Sequence, residues 1–169
     1  MFFNLFKSKH QEDYFDIVLY PHSEYDYNRI FNTEHATTFK TEKNIVFKNL
    51  DWGISSDEVI KRYVKPTHIT NRKLNNTNQR IFFYKLQRKY IMSVIQIHFF
   101  DNKLSYITRE YKYTHDSQNN EILAEIRKAY NIPNEFNIDS NFAICDSNNN
   151  TLKFNTDFSV KLEYITQIK

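Results

Sequence analysis

The sequence predicts an α+β fold: a single domain with a mainly antiparallel β-sheet, built as a meander, and two or three helices packed on one face. Three observations carry this. Apolar runs of strand length recur along the 169 residues, and the polar turns between them are too short for parallel crossovers. Two stretches with helix-start signals interrupt the runs. Hydrophobic residues make up 40% of the chain, with 12 Tyr and 15 Phe, which is enough apolar area for a folded core.

Residues 14–20 (YFDIVLY) read as a buried strand closed by Pro21, followed by a short helix over 23–31 and a strand over 44–48. Ser55-Ser56-Asp57-Glu58 has the form of a capping box, in which the Ser55 hydroxyl and the Glu58 carboxylate satisfy two orphan amides reciprocally. Val59, Ile60 and Tyr63 are expected as the apolar stripe of that helix, and Pro66 ends it. Residues 71–79 read as a polar loop. Strands are expected at 80–86 and 91–100; in the second, Ile91, Ile95, Ile97 and Phe99 share a parity with Ser93, so that face is buried. Residues 101–103 make a hairpin turn with Asn102 where glycine is usual, leading into a strand over 104–113.

A second helix is expected over 117–130, with Ile122, Ile126 and Tyr130 on one stripe and Asn131 as a left-handed cap before Pro133. Strands at 141–146, 151–154 and 157–167 follow. In the last, Phe158, Val160, Leu162 and Tyr164 alternate with polar residues, giving one wet face. The chain thus divides into an N-terminal strand and irregular segment (1–43), a helix-plus-meander unit (44–113) and a helix-plus-hairpin unit (114–169).

Gly53 is the only glycine and follows the only tryptophan, Trp52. Phosphate-cradling loops, dinucleotide turns and nucleophile elbows all need glycines, so none exists here. Gly53 is expected to turn a strand into the helix capped by Ser55 and Glu58, with Trp52 as a structural anchor. The twenty asparagines are expected to fill turn positions that glycine usually takes. The single cysteine, Cys145, excludes an intramolecular disulfide and reads as a buried structural thiol. None of the six histidines is spaced as a metal ligand pair, so no metal and no cofactor is expected. His98 reads as a histidine at the solvent edge or satisfied on the more polar side of its strand. The N-terminus lacks a signal-peptide core and no run approaches a membrane span, which reads as a cytoplasmic protein.

Residues 47–113 contain Trp52-Gly53-Ile54-Ser55-Ser56-Asp57-Glu58-Val59, then Lys65-Pro66, then Phe99-Phe100-Asp101-Asn102-Lys103-Leu104. This pattern resembles the helix-plus-meander repeat of the β-lactamase inhibitory proteins and of the small outer-membrane-assembly lipoproteins. The resemblance implies an interaction scaffold rather than an enzyme, and it transfers no site residue.

Charge is the strongest functional signal. Twelve basic residues between positions 61 and 112 face only Asp101 and Glu110, so this segment carries +10 in a chain of net +3. Such asymmetry points to an acidic partner or to cover by the acidic flanks. The first reading is a non-enzymatic protein-binding module, an inhibitor or toxin-neutralising immunity protein. Its contact residues would be Lys85, Arg88, Lys89, Tyr90, Arg109, Tyr111 and Lys112, and its partner an acidic protein. The alternative is an RNA- or single-stranded nucleic-acid-binding protein, in which tyrosines interleaved with the bases stack on nucleobases. Third comes a cofactor-independent nuclease using His98 or His115 with Lys112 and Glu110.

Overall fold

The computed structural model describes residues 24–32, 37–88, 91–133, 141–156 and 159–166. In chain order these form α1 (Glu24–Asn32), β1 (Thr38–Lys40), α2 (Ser56–Arg62), β2 (His68–Leu74), β3 (Thr77–Arg88), β4 (Ile91–Phe100), β5 (Lys103–Lys112), α3 (Asp116–Tyr130), β6 (Phe142–Cys145), β7 (Thr151–Asn155) and β8 (Val160–Ile165). The eight strands make one sheet in the order β1-β6-β7-β8-β5-β4-β3-β2. Every pairing is antiparallel except β1 with β6, which is parallel. The α+β class with a mainly antiparallel sheet is therefore the observed one.

Each face of the sheet has its own character. On the first, which we call the core face, Phe82, Ile95, Ile97, Phe99, Leu104, Ile107, Leu152, Phe154 and Leu162 join Val59 of α2 and Ile122 and Ile126 of α3 in one apolar cluster. Two helices thus share this face, as the pattern of their apolar residues requires. The opposite face is polar over much of its length, and α1 lies against it through Tyr27, packed with Tyr106 and Ile165. The shared-face arrangement accordingly holds for α2 and α3, while α1 occupies the other side.

The central strand β4 departs from expectation in a related way. Ile95, Ile97 and Phe99 enter the apolar cluster as predicted, with Ile91 packed against it, but Val94, Gln96 and His98 on the other parity are buried as well. His98 is fully buried rather than at a solvent edge. β4 is covered on both faces, which parity within a single strand does not reveal.

Local signals place most elements closely. α2 carries the complete capping box, with the Ser55 hydroxyl accepting from the Glu58 amide and the Glu58 carboxylate accepting from the Ser55 amide. Gly53 adopts φ +80° in the turn before it. The Gly53 amide donates to the Leu104 carbonyl at 2.9 Å, and the Leu104 amide donates to the Ile54 carbonyl at 3.0 Å, so the turn is tied to the start of β5. The Trp52 indole donates to the Ile45 carbonyl at 2.8 Å while its ring packs on the apolar cluster. Asn131 is the left-handed cap of α3, at φ 56°.

Four expectations are corrected. Residues 71–79 are not a loop: they contain the end of β2, the two-residue turn at Asn75-Asn76 and the start of β3. Polar side chains there are compatible with a strand because β2 lies at the sheet's end among the described residues and faces solvent. Residues 44–48 form no strand; Phe47 makes an isolated bridge to Leu50 and buries its ring instead. Ile60 is 37% exposed and does not belong to the buried stripe of α2. Cys145 is half-buried, its thiol 3.4 Å from the Thr151 hydroxyl. The expected strand at 14–20 lies outside the described residues.

Candidate functional site

The predicted contact set is divided by the sheet. Lys85 (exposed) and Lys112 (half-buried) project on the polar face, because 85 shares a parity with Ile81 and Phe83, and Lys112 with Thr108. Lys112 is paired with Glu110, which also accepts from the Ser159 hydroxyl at 2.9 Å. Arg109 and Tyr111 project on the core face. Tyr111 is 6% exposed and belongs to the apolar cluster, and burial pushes its phenol pKa up. The Arg109 guanidinium lies 4.6 Å from the Tyr111 ring centre and its Nε donates to the Ser93 hydroxyl at 3.3 Å. Tyr111 is thus a core residue and not a surface contact. Arg88 ends β3. Lys89 and Tyr90 lie outside the described residues.

The tyrosines that interleave with the basic residues mostly turn inward. Tyr106 is fully buried, and Tyr84 is half-buried with its hydroxyl inaccessible. Burial pushes the pKa of both phenols up. Tyr113 alone among those described is largely exposed, at 88%. A stacking platform for nucleobases needs several rings whose faces are open, and among the described ones only Tyr113 is.

The basic segment also exposes a short ridge at residues 60–65. The capping box starts α2 at Ser56, Val59 points into the core, and Tyr63 leaves the helix in an extended conformation with its hydroxyl donating to the Lys48 carbonyl at 3.1 Å. The remaining side chains turn outward. Val64 is 81% and Ile60 37% exposed, and Lys61, Arg62 and Lys65 are all exposed around them. Arg62 reaches back to Glu58 across one helical turn at 3.4 Å, a contact at 56% and 48% exposure that is worth little. Lys61 and Lys65 make no ion pair among the described residues. Neither Ile60 nor Val64 stood out in the sequence, because helical spacing alone assigns Ile60 to the buried stripe and says nothing of Val64 beyond the helix end.

Beside the start of α2 lies a cleft of about 470 Å³ lined by Asp57, Asn71, Arg72, Asn78, Arg80 and Asn102, together with Gln79. Arg80 is consumed there: it donates to Asn71 at 3.0 Å, to Ser56 at 2.8 Å and to Asp57 at 3.3 Å. Asn102 accepts from the Ser56 hydroxyl at 2.6 Å and from the Ser56 amide at 3.1 Å. These bonds tie α2 to the β2–β3 hairpin and the β4–β5 turn, so the cleft is a clasp that holds the ridge in place.

The histidines do not converge. His98 is sealed beneath α1, whereas His115 is exposed at the N-cap of α3, a helix that packs on the opposite face. Among the described residues, no group of three His, Cys, Asp or Glu side chains could hold a metal ion. No described helix is long and apolar enough to cross a membrane. Comparison of the chain with family models, characterised proteins and solved structures gives no match.

Proposed function

We propose that the chain is a cytoplasmic, non-enzymatic protein-binding module whose partner presents an acidic surface to the ridge at residues 60–65. One observation carries this reading: two solvent-exposed aliphatic side chains, Ile60 and Val64, sit among the cations of Lys61, Arg62 and Lys65. An apolar anchor ringed by like charge suits a protein surface, which supplies an apolar pocket and opposite charge together. The resemblance to inhibitory repeats adds the kind of module, an inhibitor or a toxin-neutralising immunity protein. The inward turn of Tyr106 and Tyr111 weighs against the nucleic-acid reading, since it removes two of the rings that would stack on nucleobases.

A photo-crosslinking residue in place of Val64 tests the proposal in cells. The expected result is a crosslinked acidic protein whose yield falls at least about tenfold in the double variant Lys61→Glu/Lys65→Glu, in line with the loss of charge steering. Yield should be unchanged in Lys128→Glu, a charge reversal on the exposed side of α3. Equal loss in both variants, or no loss in either, overturns the ridge. Binding of a labelled single-stranded oligonucleotide that weakens steeply with salt would favour the alternative instead.

A further inference from the structure

The polar face of the sheet carries charged and hydrogen-bonding groups beneath α1 that the protein-binding ridge does not use. Their bonds fix where each proton sits. A guanidinium only donates, so Arg72 Nε at 2.5 Å orients the Gln79 side chain with its oxygen toward Arg72. The Gln79 amide nitrogen therefore faces the Tyr27 oxygen and donates to it. The Arg72 Nη2 group donates to the same oxygen at 3.4 Å. With both lone pairs of the Tyr27 oxygen taken, its hydroxyl proton goes to His98 Nδ1, 2.8 Å away. His98 is thereby a neutral imidazole with its proton on Nε2, an atom that is buried and has no hydrogen-bond partner among the described residues.

Tyr27 is also the mechanical anchor of α1. Its ring is 2% exposed and meets Phe100 edge-on at 5.1 Å and Tyr106 at 6.1 Å between ring centres. Phe31, one turn later, meets Tyr106 at 6.0 Å. The Lys153 ammonium of β7 donates to the Ile30 carbonyl, near the negative end of the helix.

We propose that α1 is a proton-released latch: protonation of His98 at Nδ1 converts the acceptor of the Tyr27 hydroxyl into a second donor, and α1 detaches from the polar face of the sheet. The proton comes from solvent and no covalent bond changes. Among the described residues, the new charge meets no free counter-ion. Arg72 of β2, Lys153 of β7 and Lys161 of β8 supply three cations around the cluster. The carboxylate described beside it, Glu163 of β8, is already engaged by the Tyr106 hydroxyl at 2.6 Å and by Lys161 at 2.7 Å. Burial first, then Arg72 and Lys161, hold the His98 pKa well below its ordinary value near 6.5. Release accordingly belongs to acid pH. With the pKa depressed in the docked state, the latch is fully held above about pH 6.5 and weakens as pH falls through that value toward the docked pKa.

Hydrogen exchange of the intact chain, corrected for the intrinsic pH dependence of the rate, reads this directly. One extra proton bound by the detached state predicts that protection of the α1 amides falls by up to about tenfold per pH unit below 6.5, while β4 and β5 amides keep theirs. His98→Gln, whose side-chain oxygen accepts the Tyr27 hydroxyl and does not titrate, should flatten that dependence. Tyr27→Phe should lower α1 protection already at neutral pH and also flatten it. Protection of α1 that ignores pH in the wild type overturns the proposal. So does a loss shared equally by β4 and β5, or a dependence unchanged in both variants.

Discussion

Gly53 shows how much one position decides. Its φ of +80° lies where L-residues are disfavoured, yet a Cβ built there meets nothing within 4 Å. The requirement is therefore conformational and not steric. Gly53→Ala is expected to cost about 1–2 kcal/mol, read from the denaturant midpoint, and Gly53→Asn about half of that or less. The same logic runs through the chain: among the described residues, eight non-glycine positions have positive φ, and five are asparagines, at 49, 75, 102, 131 and 149. Asparagine does the work of the missing glycines, as composition suggested. Residue-level charge was harder to read. Glu163 looked like a solvated position on an alternating strand, but it is mostly buried, and Lys161 and Tyr106 hold its carboxyl below the ordinary range despite desolvation. Its contribution is present above the ordinary carboxylate range and is lost as pH falls through the lowered value. Glu163→Ala strands the fully buried Tyr106 hydroxyl and is expected to destabilise by about 1–3 kcal/mol, measured by equilibrium unfolding at neutral pH, with the difference shrinking in acid.

At the scale of elements, signals that act within a few residues were legible. The capping box of α2, the left-handed Asn131 and the stripe of Ile122 and Ile126 all lie where the sequence put them. Ser55→Ala removes one half of that box, and α2 has only seven residues, so a loss of about 1 kcal/mol is expected. Because α2 carries the ridge, the same variant should also weaken partner crosslinking at position 64. Elements were misread where the deciding contact was distant. β2 is polar and lies at the end of the sheet among the described residues, so neither alternation nor an apolar run marked it, and pairing with β3 makes it a strand. Residues 44–48 are apolar because the Ile45 and Phe47 side chains are buried, not because they pair: the Ile45 amide goes to the Asp146 carboxylate at 2.9 Å, across a hundred residues.

At the scale of the whole molecule, the helix-plus-meander and helix-plus-hairpin units share a sheet and a core. β8 pairs with both β5 and β7, and the main apolar cluster draws residues from every strand from β3 to β8. A single cooperative unfolding transition, coincident by fluorescence and far-ultraviolet circular dichroism, is the expected outcome. Cutting after β5 should leave a fragment that does not fold, since it would expose a ten-residue strand edge and half the core. The candidate site divides the same way. The excess of basic residues at 61–112 was plain in the sequence, but which of them meet solvent was not, because alternate residues of a strand face opposite sides and the covering elements come from elsewhere. By itself the sequence determined the α+β class, the caps of α2 and α3 and the turn at 101–103, all consequences of local backbone geometry and composition. Only the tertiary structure decided that Tyr111 is core, that Ile60 and Val64 are surface, and that His98 is sealed under Tyr27, because burial is a property of what packs on a residue and not of the residue itself.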